Sequence, residues 1–331
     1  MRDDRTPPLS VWPTGQRDPL TQLRDVGCVP ETDADAERIP PAVAAHAIAT
    51  YTRPGDLVVD PDCGAGTVLN AALHAGRHAL GLTPQSRWWT LARANVTAAK
   101  HAGAWPDGAV LDAHPQALGT ARAAGLIGRV ALILTSLRTG PLQSGDPDPA
   151  KSTPADFATP LRNYESLLRD GGHLVVVARP HRHPDGELAD LTTQLVAGAT
   201  AAGLVPVERC VALTAELRGS RLVTRASLTE RRSAARARSG GSRTALVAHH
   251  EVLVFELAHD AVLAAEGTAR ASCLTEVEIT SPAVRGASYS EWMRATHTVG
   301  LSAGSRAARR SRSAQHDAVS VARFDNDQEA A

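Results

Sequence analysis

Apolar and polar positions in this chain settle into a regular alternation from Ile39 onward. Helical periods predict helices over 41–51, from Thr67 to His74 and over 88–101, and short β-branched runs predict strands over 57–60, 79–82 and 109–112. A helix over 116–124 and a strongly apolar strand over 130–135 follow. The second half adds a helix over 155–169 stopped by Gly171-Gly172, a buried strand over 173–178 and a helix over 187–202. Two last strands, 207–213 and 251–257, have no predicted helix between them and are expected to pair antiparallel. Strands alternating with helices imply a mostly parallel sheet covered on both faces. The count is seven strands.

The flanks lack this order. Residues 1–37 scatter Pro7, Pro8, Pro13, Pro19 and Pro30 among charges, so they read as a loosely ordered arm packed locally through Trp12. Residues 259–331 turn small and polar, with a basic run over 305–313, and read as a disordered tail with a short helix near Trp292. The folded domain is thus expected over 38–258, with an Arg-rich insert over 214–248.

Hydrophobic residues are 43% of the 331 positions, enough for a core, while aromatics are only 3%, so that core must be built of Leu, Val and Ala. Lys+Arg and Asp+Glu are each 35, and net charge therefore points to no partner. Cys28, Cys63, Cys210 and Cys273 are scattered without metal-ligand spacing, which predicts reduced thiols and no metal. The first residues have no apolar signal core, and no apolar stretch approaches about 18 residues. A cytoplasmic protein with no membrane partner is expected.

Chemistry concentrates in Pro54 to Thr67, which reads strand, glycine loop, helix. Gly64 and Gly66 allow positive φ and close approach of a ligand, and the N–H groups opening the next helix favour a negative group. The spacing does not follow the dinucleotide fingerprint, because Leu69 takes the third glycine position and no acid ends the next strand. An ordinary turn without a ligand is the plain alternative.

The string Asp60-Pro61-Asp62-Cys63-Gly64-Ala65-Gly66-Thr67 resembles motif I of the DNA amino-methyltransferases, D-P-F-x-G-S-G-T-T. Ile39 to Ile48 resembles that family's motif X, Asp170 to Val177 its fifth strand, and His249 to Phe255 the closing strand of some of its members. The resemblance covers 39–257. It implies a Rossmann-like, seven-stranded class I methyltransferase fold, S-adenosylmethionine as cofactor and DNA as partner, with RNA as the alternative. Carried over to this chain, it implies cofactor contacts at Asp60, Cys63, Gly64, Gly66, Thr67, Thr83 and Asp112. Asp112 equally suits a helix cap.

Two places depart from the family. Its catalytic D/N/S-P-P-Y/F is here Ser136-Leu137-Arg138-Thr139, so the Ser136 side chain and the Leu137 carbonyl remain to hold an amino group, without the stacking ring. Thr83 stands where an acid commonly binds the ribose. Arg138 is out of place beside a sulfonium and is expected to turn outward to a phosphate. The insert supplies further cations for nucleic acid, Arg221, Arg225, Arg231 and Arg232, or else a solvated basic surface. The implied function is methyl transfer to a base amino group in DNA. The alternatives are a catalytically impaired fold serving as a nucleic-acid-binding or regulatory module, and an RNA base methyltransferase.

Overall fold

The computed structural model describes residues 9–120, 125–138, 154–182, 188–241 and 245–258, all within one compact unit, Met1–Glu266. The predicted tail lies outside the described residues, as do the far part of the 116–124 helix and the start of the 187–202 helix.

The strands are β1 (Val11–Trp12), β2 (Leu57–Asp60), β3 (His78–Thr83), β4 (Gly108–Asp112), β5 (Val130–Ser136), β6 (Leu168–Ala178), β7 (Leu204–Leu213), β8 (Glu216–Arg218), β9 (Arg221–Val223) and β10 (His249–Leu257). The helices are α1 (Pro19–Asp25), α2 (Pro41–Tyr51), α3 (Thr67–His74), α4 (Ser86–His101), α5 (Pro154–Glu165), α6 (Leu191–Ala201) and α7 (Leu228–Ser239). Eight strands form the main sheet in the order β1-β7-β10-β6-β5-β2-β3-β4. Pairs on the β2, β3, β4, β5 and β6 side are parallel, and β10 runs antiparallel between β6 and β7. This is a mostly parallel, Rossmann-like sheet covered by helices, with one strand more than the seven expected.

Both faces of the sheet are covered, which is why its strands read as unbroken apolar runs. Along β5, Leu132 and Leu134 pack with Val43, Ile48, Leu69 and Leu73 of α2 and α3, while Ile133 packs on the other side with Phe157, Leu161 and Leu195 of α5 and α6. The two-residue period of the strand sends alternate side chains to the two layers.

The eighth strand comes from the supposed loose arm. Trp12 is fully buried against His46, with ring centroids 4.4 Å apart, and β1 pairs in parallel with β7 to form the edge of the sheet. Asp18 caps α1 by accepting from the Thr21 N–H at 2.9 Å. Buried Gln22 then donates to the Thr14 and Arg17 carbonyls and accepts from the Ala42 N–H, tying α1 to α2. Polar side chains hold this segment, so hydrophobic period gave no sign of its order.

The insert also differs from expectation. It holds a β8–β9 hairpin and then α7, whose Ser227 and Glu230 form a reciprocal capping box. No residue of α7 is buried, and a helix without an apolar face leaves no period to read. Between 116 and 124 the described residues form a single 3-10 turn, Pro115–Gly119, where Pro115 sits at the start. The predicted 155–169 helix ends at Glu165, and β6 already begins at Leu168 and carries Gly171 and Gly172 within it.

Candidate functional site

Sheet growth reverses between β2 and β5. From β2 the chain lays β3 and β4 on one side, then crosses to place β5 on the other, and the crevice beyond the strand ends at such a point is where ligands bind in α/β sheets. The glycine loop enters it directly. Gly64 and Gly66 have φ of 49° and 82°, the left-handed region that L side chains resist, and α3 begins at Thr67.

The predicted loop residues divide by direction. Asp60, at the end of β2, is buried and accepts from the Asp62 N–H at 3.2 Å. Burial raises its pKa to about 8, Arg138 opposing and Asp62 and Asp35 adding to the rise, so it carries a proton at neutral pH. Cys63 was expected to face a cofactor but turns into the core beside Gly81, where burial pushes its thiol up. Its backbone N–H donates to the Leu82 carbonyl at 2.9 Å and pins the loop to β3. The Thr67 hydroxyl is likewise engaged, donating to the Ile39 carbonyl at 2.9 Å.

Thr83 and Asp112 lie opposite each other at the ends of β3 and β4. The Thr83 hydroxyl is buried with no hydrogen-bond partner, whereas Asp112 is exposed.

Arg138 overturns its expected outward direction. It reaches from the end of β5 back to the glycine loop, donating through Nη1 and Nη2 to Asp35 at 3.0 and 2.8 Å and through Nε to the Asp62 carbonyl at 3.0 Å. A guanidinium matches a carboxylate two bonds at a time, and a buried acid beside it decides its direction. The second Asp35 oxygen also accepts the Ala65 N–H at 2.9 Å. Burial pushes the Asp35 carboxyl up, but Arg138 and the Ala65 and Glu37 N–H groups outweigh it and hold it below the usual range. Asp35 was not foreseen, because its role depends on a fold contact 103 residues away in sequence.

Ser136 and Leu137 border a cavity of about 260 Å³ between the ends of β5 and β6, the start of β10 and the chain at Glu37 to Pro40. The Ser136 hydroxyl makes a long bond, 3.4 Å, to the Glu37 carbonyl. Arg38, Arg179 and His250 share this cavity, and none was among the predicted site residues. His250 is buried, which lowers its pKa to about 3 with Arg179 and His249 adding to the effect, and its Nδ1 has no partner. No group of His, Cys, Asp and Glu suited to a metal occurs among the described residues.

The predicted nucleic-acid cations also part company. Arg225 donates to the Gly15 and Gln16 carbonyls and to Glu216, and so fastens the insert to the arm. Arg231 bonds the Ala226 and Thr224 carbonyls beside its own helix start. Arg221 and Arg232 are exposed, as are Arg236 on α7 and the end of β9.

Residues 3–87, the arm through the glycine loop to the start of α4, match the family model described as DNA methylase. Over that segment the chain is similar to DNA methylases. No curated protein matches it. Among solved structures it is similar to TrmN from Thermus thermophilus, at 17% identity and TM-score 0.42, covering 69% of this chain and 52% of that one. It is similar too to the precorrin-6y C5,15-methyltransferase from Geobacter metallireducens, at 11% identity and TM-score 0.43 over 67% and 91%. A geranyl diphosphate methyltransferase in complex with S-adenosylmethionine is similar at 16% and 0.43 over 68% and 88%.

S-adenosylmethionine, the cofactor that the motif I resemblance implies, meets these residues unevenly. The unpartnered Thr83 hydroxyl suits a ribose end. The amino-acid end does not fit as the chain stands: a Cβ built on Gly64 would lie 2.0 Å from Arg138 Nη2 and 2.2 Å from Asp35 Oδ2. The chain's own ion pair lies on the loop.

Proposed function

We propose that this protein is an S-adenosylmethionine-dependent methyltransferase acting on the exocyclic amino group of a base in DNA. What carries the reading is the place of Ser136 and Leu137, on the wall of a cavity of about 260 Å³ at the ends of β5 and β6. There the Ser136 hydroxyl and the Leu137 carbonyl are the groups to hold an amino nitrogen, and Arg38 and Arg179 at the same cavity suit an anionic chain. The match of residues 3–87 to the DNA methylase model supports DNA as the polymer.

A second reading has its own observation. The Asp35–Arg138 pair over Gly64 favours a fold that has given up turnover and serves as a nucleic-acid-binding module. One assay separates the two. Unmethylated genomic DNA and total RNA are incubated with cofactor and enzyme, then digested and examined by mass spectrometry for methylated nucleosides. N6-methyladenine or N4-methylcytosine from DNA, lost in Ser136→Ala, supports the enzyme. Products from RNA alone move the substrate to RNA, and DNA binding without any product supports the module.

A further inference from the structure

The cofactor crevice is closed by a contact that has the chemistry of a ligand. Arg138 brings a cation to the Asp62 backbone carbonyl and to both oxygens of Asp35, and these are the acceptors an α-ammonium group seeks. The guanidinium lies on Gly64, the residue whose missing side chain makes room for a bound molecule. Asp35 is in turn fixed to the glycine loop by the Ala65 N–H. Among the described residues Arg138 is the cation that ion-pairs with this carboxylate, so the charge of Asp35 is balanced from within the crevice itself.

We infer that Arg138 is an internal stand-in for the ammonium of the cofactor's amino-acid end, and that Asp35 is the residue which binds that ammonium once Arg138 has left. The inference rests on the proposed use of S-adenosylmethionine in this crevice. It assigns to Asp35 a binding role and to Arg138 the role of a latch, with the pair exchanging one cation for another. Charge is conserved in the exchange, because a guanidinium and an ammonium each carry one positive charge.

A ligand that must first displace the latch binds more weakly by the fraction of protein that is open. Three ligands separate the cases. S-adenosylmethionine and S-adenosylhomocysteine carry the amino-acid end, and 5′-methylthioadenosine lacks it. Each is titrated by calorimetry, with thermal shift alongside, into the wild-type protein, Arg138→Ala, Arg138→Gln and the double variant Asp35→Asn with Arg138→Gln. The Gln substitution keeps length without charge, and the double variant removes both charges of the Asp35–Arg138 pair together, so a folded comparison exists even where Arg138→Ala is unstable.

The expected result is that losing Arg138 tightens S-adenosylmethionine and S-adenosylhomocysteine by about tenfold or more and leaves 5′-methylthioadenosine unchanged. In the double variant that gain disappears, because the ammonium has lost its carboxylate. Equal affinities in wild type and the Arg138 variants overturn the latch while the cofactor reading stands. A gain shared by 5′-methylthioadenosine overturns the stand-in role and reduces Arg138 to an obstruction. Binding to none of the four proteins overturns the cofactor reading itself, and the inference with it.

Discussion

The side-chain amide of Asn95, on α4, donates to the carbonyl of Ala65, in the glycine loop, at 2.7 Å. The same amide donates to the Thr32 hydroxyl at 2.8 Å and accepts from the Val29 N–H at 2.8 Å. One fully buried side chain thus sews the arm, the loop and a helix together, and it is this seam that carries Asp35 to the crevice. Replacing Asn95 with Ala strands three buried partners and is expected to cost about 2–4 kcal/mol in urea unfolding. Limited proteolysis of the native variant should then cut first between residues 28 and 38.

Asp60 gives the molecule a particular response to pH. Its folded-state pKa of about 8 lies above the 3.8 of an ordinary Asp, so the native state holds a proton that the unfolded chain has lost between those values. Stability from this group is full below about pH 4 and is lost as pH rises toward 8, with a slope near 1.4 kcal/mol per pH unit. His250 works the other way, since its folded pKa of about 3 lies below 6.5 and its stabilising effect fades as pH falls between them. The two slopes oppose each other in acid, leaving a net decline from about pH 6.5 to 8. Asp60→Asn should abolish that decline in urea titrations; an unchanged decline would sink the assignment.

The cations of the insert predict two different phenotypes. Arg232, Arg236 and Arg238 stand on a helix that buries nothing, so their triple replacement by Ala should leave the unfolding midpoint in place. If they meet phosphates, nonspecific DNA affinity falls and the slope of log K against log salt flattens by roughly 2 to 3. Arg225→Ala should do the reverse, lowering stability through the lost Gly15, Gln16 and Glu216 bonds while the salt slope holds. Fluorescence anisotropy across a salt series reads both.

Thr83 offers a cleaner variant of the proposed cofactor site. Its hydroxyl is buried without a partner, so Thr83→Val removes an unsatisfied group at nearly constant shape and should stabilise the ligand-free protein by about 1 kcal/mol. Should this hydroxyl meet a ribose, the same change weakens 5′-methylthioadenosine, which retains the sugar, as measured by calorimetry.

What could be read beforehand follows from where the free energy lies. β2, α3 and β5 announce themselves because burial on both faces and a glycine loop write a period and a punctuation into the chain. The arm writes neither: Asp18, Gln22 and Asp35 act through hydrogen bonds to partners that only the fold brings near. α7 left one legible mark, Ser227 three places before Glu230, and its run of Arg and Ser masked it. For Arg138 the sequence showed a misplaced cation, and its direction depended on an acid in a segment without period.

The position of β10 bears on how the protein is made. β7 joins the rest of the sheet only through β10, and β1 joins only through β7. During synthesis, then, β1 leaves the ribosome long before β10, and its place on the sheet is complete only once Leu257 has followed.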